Sequence, residues 1–206
     1  MFSANSTASS ATSSEIWTGL VAGGITHAIS GLGDLVGEEV RTTFLSPRTM
    51  PASKVNELIG GPEADVVAIH LGVSGEATGH ILLMFKPVTA FDLVNMLLDR
   101  EPGSDCELDE LAISTMGEMG NVMGSYFLSA LGDTTGVRLM PSPPTVMMDM
   151  AGAVIDAAIA DIMADTDDIL VVETRFGTAN QQINGIFLVL PNPRLKEVLL
   201  DRWAKQ

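Results

Sequence analysis

Cations are scarce in this chain. Eleven Lys and Arg face 26 Asp and Glu, a formal charge of −15 over 206 residues. Such a field repels phosphate backbones and anionic membranes, so nucleic acid is not an expected partner. Cysteine is rarer still: the single Cys106 excludes an intramolecular disulfide and a cysteine-based metal cluster. That usage fits a reducing compartment, and Cys106 reads as an ordinary thiol near a helix start. The three histidines, His27, His70 and His80, stand too far apart in sequence for a short metal motif, so no metal of its own is expected. No run of eighteen uncharged apolar residues proposes a membrane span, and the first fourteen residues have neither a positive start nor a continuous apolar core, so no secretory signal is read there. The expected location is cytoplasmic.

What is present is a globular composition, 46% hydrophobic and 18% charged, enough to bury a sizeable core. Residues 1–14, with a Ser/Thr/Ala run, are expected to be a disordered tail ahead of a single domain, residues 15–206. Glu15 to Val36 carries Ile16, Leu20, Ile25, Ile29 and Leu32 at helical spacing, although Gly19, Gly23, Gly24, Gly31 and Gly33 make it a poor helix in isolation. A strand at Val40–Leu45 ends at Pro47, and a short helix at Ala52–Ile59 is stopped by Gly60-Gly61-Pro62. Val66–Val73 and Thr78–Phe85 form a hairpin, followed by a helix from Pro87 to about Leu98. Arg100-Glu101-Pro102-Gly103-Ser104 breaks it.

A central helix spans Leu108 to Leu131. At 3.6 residues per turn Ser114, Glu118 and Asn121 share an arc of roughly 60°, while Ala112, Met116, Met119, Met123 and Phe127 gather on the other side. A carboxylate and an amide three residues apart project from one face and can touch one target together. The carboxylate accepts hydrogen bonds or pairs with a cation; the amide donates and accepts, and so can hold a water in a chosen orientation. Polar pairs at this spacing also occur on solvated helix faces.

The order then repeats. Short strands lie near Val137–Met140 and Thr145–Met150, a helix runs from about Ala151 to Ala164, and an acidic turn, Asp165 to Asp168, reads as solvated. Strands at Ile169–Phe176 and Gln182–Leu190 and a helix from Pro193 to Trp203 complete the copy. Placing Val40-Arg41 over Val137-Arg138 brings Pro47 onto Pro144 and Gly23 onto Gly120 without a gap. The repeats are about 15–100 and 105–206. The expected fold is mixed α/β (α+β): a pseudo-twofold repeat of a helix–strand–helix–hairpin–helix unit, with an antiparallel-rich sheet and the two long helices side by side. Gly23 and Gly120 are expected to allow those helices to approach closely. In this register Val21 lies over Glu118 and Gly24 over Asn121, so the first copy is a degenerate site without the acid or the amide.

The spaced pattern of Ser114, Glu118, Asn121 and then Pro144, with Leu108-Asp109-Glu110, Gly117-Glu118-Met119-Gly120-Asn121, Ser129-Ala130-Leu131 and the later Val171-Val172-Glu173-Thr174, resembles the CheC/CheX/FliY family of chemotaxis phosphatases. The resemblance covers most of residues 16–206. It implies a phosphatase that hydrolyses the aspartyl phosphate of a CheY-like response regulator, with one active site in the second repeat. Mg²⁺ and a lysine are then expected on the regulator, with no cofactor on this chain. Glu118 is implied to pair with that lysine and Asn121 to orient the attacking water, with Ser114 and Pro144 in support. A different class of reading is a non-catalytic adaptor that binds a regulator or a CheD-type deamidase. A flagellar-switch role would need a switch-binding domain for which the chain has no room beyond the repeat.

Overall fold

The computed structural model describes residues 12–101, 103–104, 107–160 and 168–205. Cys106, the tail up to Ala11, the expected helix end at residues 161–164 and Asp165 to Asp167 of the acidic turn lie outside them. The first half supplies α1 (Ser13–Val36), β1 (Arg41–Pro51), α2 (Ala52–Ile59), β2 (Asp65–Gly75), β3 (Gly79–Phe85) and α3 (Pro87–Leu97). The second supplies α4 (Glu110–Thr135), β4 (Leu139–Pro141), β5 (Thr145–Met150), α5 (Ala151–Ala160), β6 (Asp168–Gly177), β7 (Gln182–Pro191) and α6 (Pro193–Trp203).

The two long helices begin and end alike. Thr12 Oγ1 accepts the Glu15 N–H at 3.3 Å while the Glu15 carboxylate accepts the Thr12 N–H at 2.7 Å, a reciprocal cap that starts α1 inside the expected tail. Asp109 Oδ1 caps α4 through the Ala112 N–H at 2.8 Å, and the repeat register sets Thr12 over Asp109. Gly37 and Gly136 close the helices at φ 71° and 72°, a left-handed conformation that favours glycine.

The strands form one seven-stranded sheet in the order β1-β6-β7-β3-β2, with β4 and β5 both on the outer side of β2. All pairings are antiparallel. Each half lends its first strand to the other: β1 pairs with β6, while β4 and β5 pair with β2. The central contact, β3 with β7, also joins the halves, so neither repeat has a complete sheet alone and the two make a single unit. Strand β1 runs through Pro47 to Pro51 rather than stopping at Pro47. It pairs with β6 alone, and an edge strand tolerates residues that cannot donate to a ladder.

Side-chain alternation divides the interior. Val67, Ile69 and Leu71 of β2 join the larger core beneath α1, α3, α4 and α6, while Val66 and Ala68 face the smaller one beneath α2 and α5. By length and composition α1 is the one helix among the described residues apolar enough to cross a membrane, and 44% of that window is buried inside the fold.

The glycines act differently from the expectation. Gly23 is exposed, with open space where a Cβ would stand, and Gly120 faces the sheet, where its Cβ would meet Ile69 Cγ2 at 2.6 Å. Close approach of α1 and α4 occurs instead at Gly24 and Gly31, against the rings of Phe127 and Tyr126. Symmetry of sequence does not carry over to packing because an apolar α1 buries a stripe that α4 leaves in solvent.

Candidate functional site

Helix α4 owes its position to small residues. Gly117, Gly120 and Gly124, spaced three and four apart, lie toward β2 and the β4–β5 segment. A Cβ on Gly124 would meet Leu71 Cδ2 at 2.8 Å and Pro141 Cβ at 3.5 Å, and one on Gly120 would meet Pro144 Cβ at 3.4 Å. The backbone of α4 therefore rides directly on the sheet. Met116, Met119, Met123 and Phe127 are buried beside this glycine face.

The adjoining stripe is open. Ser114, Glu118, Asn121 and Ser125 are all exposed. Neither Glu118 nor Asn121 has a hydrogen bond or ion pair within the chain, among the described residues. The carboxylate and the amide are thus free to meet an outside partner. No hydrogen bond joins Ser114 to Glu118.

Pro144 sits at the base of this stripe. A Cβ on Gly117 would stand 3.9 Å from Pro144 Cγ and one on Gly120 3.4 Å from Pro144 Cβ, at the residues just before Glu118 and Asn121. The segment that carries it is pinned to β2: the Ser142 N–H donates to the Gly72 carbonyl at 2.8 Å, and the Gly72 N–H donates to Ser142 Oγ at 2.9 Å. Ser142 was not singled out in the sequence, although a serine between two prolines has few roles other than holding a turn. The Gly-x-x-Gly-x-x-x-Gly spacing was the legible sign of close helix–sheet contact.

The stripe of α1 that aligns with the open stripe of α4 is Trp17, Val21, Gly24 and Ala28, and every member is buried. Val21 is 0% exposed. The first copy is part of the core, turned inward as a whole.

Among the described residues no three His, Cys, Asp or Glu side chains gather in a way that could hold a metal. The structure does join two histidines that the sequence separates. His70 and His80 stack with ring centroids 5.0 Å apart, and His70 Nε2 lies 2.8 Å from His80 Nδ1. They lie on the face of the sheet away from α4, because Ile69 and Leu71, on either side of His70, are the residues that meet it. Between α1 and α4, Tyr126 Oη donates to Asp34 Oδ2 at 2.5 Å, which holds the phenol's pKa above its ordinary value through the hydrogen bond and the nearby negative charge.

Residues 67–163, which contain α4 and Pro144, match the family model described as chemotaxis phosphatase CheX. The chain is 27% identical over 174 residues to the CheY-P phosphatase CheC of Bacillus subtilis, across 82% of this chain and 83% of that protein. It also has the fold of Thermotoga maritima FliY, with a TM-score of 0.75 at 15% identity over 94% of this chain and 96% of that one. A chain of a CheX–CheY–BeF₃–Mg²⁺ complex from Borrelia burgdorferi is similar at a TM-score of 0.50 and 17% identity, over 82% and 95% of the two chains.

Proposed function

We infer, from its place in the CheC/CheX/FliY family of chemotaxis phosphatases to which the chain belongs, that it hydrolyses the aspartyl phosphate of a CheY-like response regulator at one active site in the second repeat. The observation that carries this reading is the pairing of Glu118 and Asn121 on one exposed, internally unpartnered stripe of α4. An acyl phosphate is already activated. The remaining task is to place a water in line with phosphorus and to compensate the charge of the transition state.

Asn121 enters the regulator's phosphorylated pocket and orients the water through its side-chain carbonyl. An amide is not a base at neutral pH, so positioning is its whole contribution, on the order of several kcal/mol of barrier. Glu118 pairs with a lysine beside the phosphate and sets the docking register. Pro144 offers no N–H to a phosphate; it fixes the height of the helix at Gly117 and Gly120. Ser114, one turn before Glu118, extends the same stripe. In this reading Mg²⁺ arrives with the regulator. The reaction then takes place in the cytoplasm, where response regulators are phosphorylated.

The test is loss of acyl phosphate from a panel of phosphorylated regulators, with the native chain, Asn121→Ala and Glu118→Ala. Asn121→Ala is expected to abolish acceleration with binding largely kept, and Glu118→Ala to weaken both. Unchanged turnover in both variants removes the mechanism. Binding of a regulator without hydrolysis by the native chain would favour the adaptor reading.

A further inference from the structure

The seam between α4 and the β4–β5 segment runs in opposite directions. A Cβ added to Gly124 would meet Pro141, one on Gly120 would meet Pro144, and one on Gly117 would meet both Pro144 and Val146. One more turn back along the helix is a step of about 6 Å, and one more pleat along β5 about 6.6 Å. Those steps bring Ile113 opposite Met148. Val146 packs against the larger core, so Met148, two residues on, shares its face. Yet Ile113 is 41% exposed and Met148 46% exposed, and Leu111, on the Glu118 stripe, is 50% exposed. The apolar seam opens to solvent beside the candidate site.

We propose that Ile113 and Met148 form an apolar docking spot for the receiver domain of the phosphorylated regulator, on the sheet-side flank of the Glu118–Asn121 stripe, while Leu111 stands on the opposite flank of that stripe. The proposal rests on the phosphatase reading above and adds the surface that selects the partner. Ile113 precedes Glu118 by roughly 7.5 Å along the helix axis. An ordinary protein interface covers about 800 Å² per partner, a disc about 16 Å in radius, so a folded domain seated on Glu118 and Asn121 also covers this spot. Charge points to the same kind of partner. From Glu101 to Val137 and from Leu139 to Thr174 the chain has no Lys or Arg, and Asp109 and Glu110, one turn before Ile113, are exposed. An acidic rim around an apolar centre fits a partner that presents basic residues around an apolar one.

The experiment compares the native chain with Ile113→Gln, Met148→Thr and the Ile113→Gln/Met148→Thr pair, after denaturation midpoints show that each is folded. KM for the phosphorylated regulator, Kd for the same regulator loaded with Mg²⁺ and BeF₃, and sedimentation mass are measured. The double variant is expected to raise KM and Kd about tenfold, as loss of an interface anchor does, with kcat within about twofold and an unchanged mass. KM and Kd equal to native overturn the proposal while the phosphatase reading stands. A native chain that binds the loaded regulator without hydrolysing its phosphate, with binding weakened in the variants, overturns the phosphatase reading and leaves the docking spot. A native dimer that the variants convert to monomer also overturns the proposal, since a second copy then occupies the spot.

Discussion

The ring of Phe127 occupies the space that a side chain at Gly24 would need, with Cδ2 2.8 Å from the ideal Cβ position. The position that the repeat aligns with Asn121 is thereby filled from α4 itself. Val21, aligned with Glu118, is fully buried beside it. The double variant Val21→Glu/Gly24→Asn, which restores the missing pair on paper, buries an unpaired carboxyl and overpacks a helix contact. It is expected to lose more than about 3 kcal/mol of stability and to gain no second site. Urea unfolding and phosphatase stoichiometry check it; a stable variant with doubled turnover would contradict the packing.

Gly120 and Gly117 differ sharply although both face the sheet. A methyl on Gly120 meets Ile69 Cγ2 at 2.6 Å, whereas one on Gly117 meets only Pro144 and Val146 at 3.9 and 4.0 Å. Ile69 is a β-branched strand residue with little rotamer freedom. Overpacking by about 1–3 kcal/mol outweighs the ~1 kcal/mol that alanine gains in helix propensity. Gly120→Ala should therefore destabilise the protein by about 1 kcal/mol and lower turnover by lifting α4, while Gly117→Ala should be neutral or stabilising by up to ~1 kcal/mol. Paired denaturation curves and single-turnover rates separate the two.

Tyr126 and Asp34 tie α4 to α1 through a bond that needs the phenol proton. The hydrogen bond to Asp34, and then its charge, raise the phenol pKa above its ordinary value. A group raised on folding contributes stability that is fully present below its unfolded pKa, near 10, and lost as pH rises through the folded value. Thermal midpoints should fall as pH rises above about 10, the ordinary phenol value, and Tyr126→Phe should flatten the decline. An equal slope in both proteins would show that other groups set it.

The absence of Lys and Arg from Glu101 to Val137 and from Leu139 to Thr174 predicts that association of this stretch with a basic partner surface is steered by charge. Raising ionic strength from about 50 mM to about 500 mM shortens the Debye length from roughly 14 Å to roughly 4 Å. The ratio kcat/KM should drop severalfold over that range while kcat stays level. Stopped-flow measurement of regulator association gives the same comparison directly, and a salt-independent on-rate would refute steering.

Most elements were legible because each carries its own local signal. Pro87 and Pro193 start helices, Gly60 stops one, and β-branched runs mark the hairpin strands. That Glu118 and Asn121 share a face was legible from spacing, since they need only one helix, while the resemblance singled them out from other polar pairs. Two features were not. The strand at Val40 gave no sign that it would continue past Pro47, because tolerance of proline depends on having a free edge, and edges are assigned by the whole sheet. The repeat pairs Gly23 with Gly120, but Gly23 faces open space and Gly120 faces Ile69, a difference that no alignment of the two copies contains.

The sequence by itself determined the repeat, the helix and strand segments, the polar stripe on α4 and the strongly acidic character of its surroundings, all of which depend on neighbours within a few turns or on composition. Tertiary structure alone decided which stripe of each long helix faces water, that each half completes the sheet of the other, and that His70 and His80 meet. Those outcomes depend on contacts between residues far apart in the chain. Phe127 over Gly24 and Ile69 under Gly120 are such contacts, and no local pattern contains them.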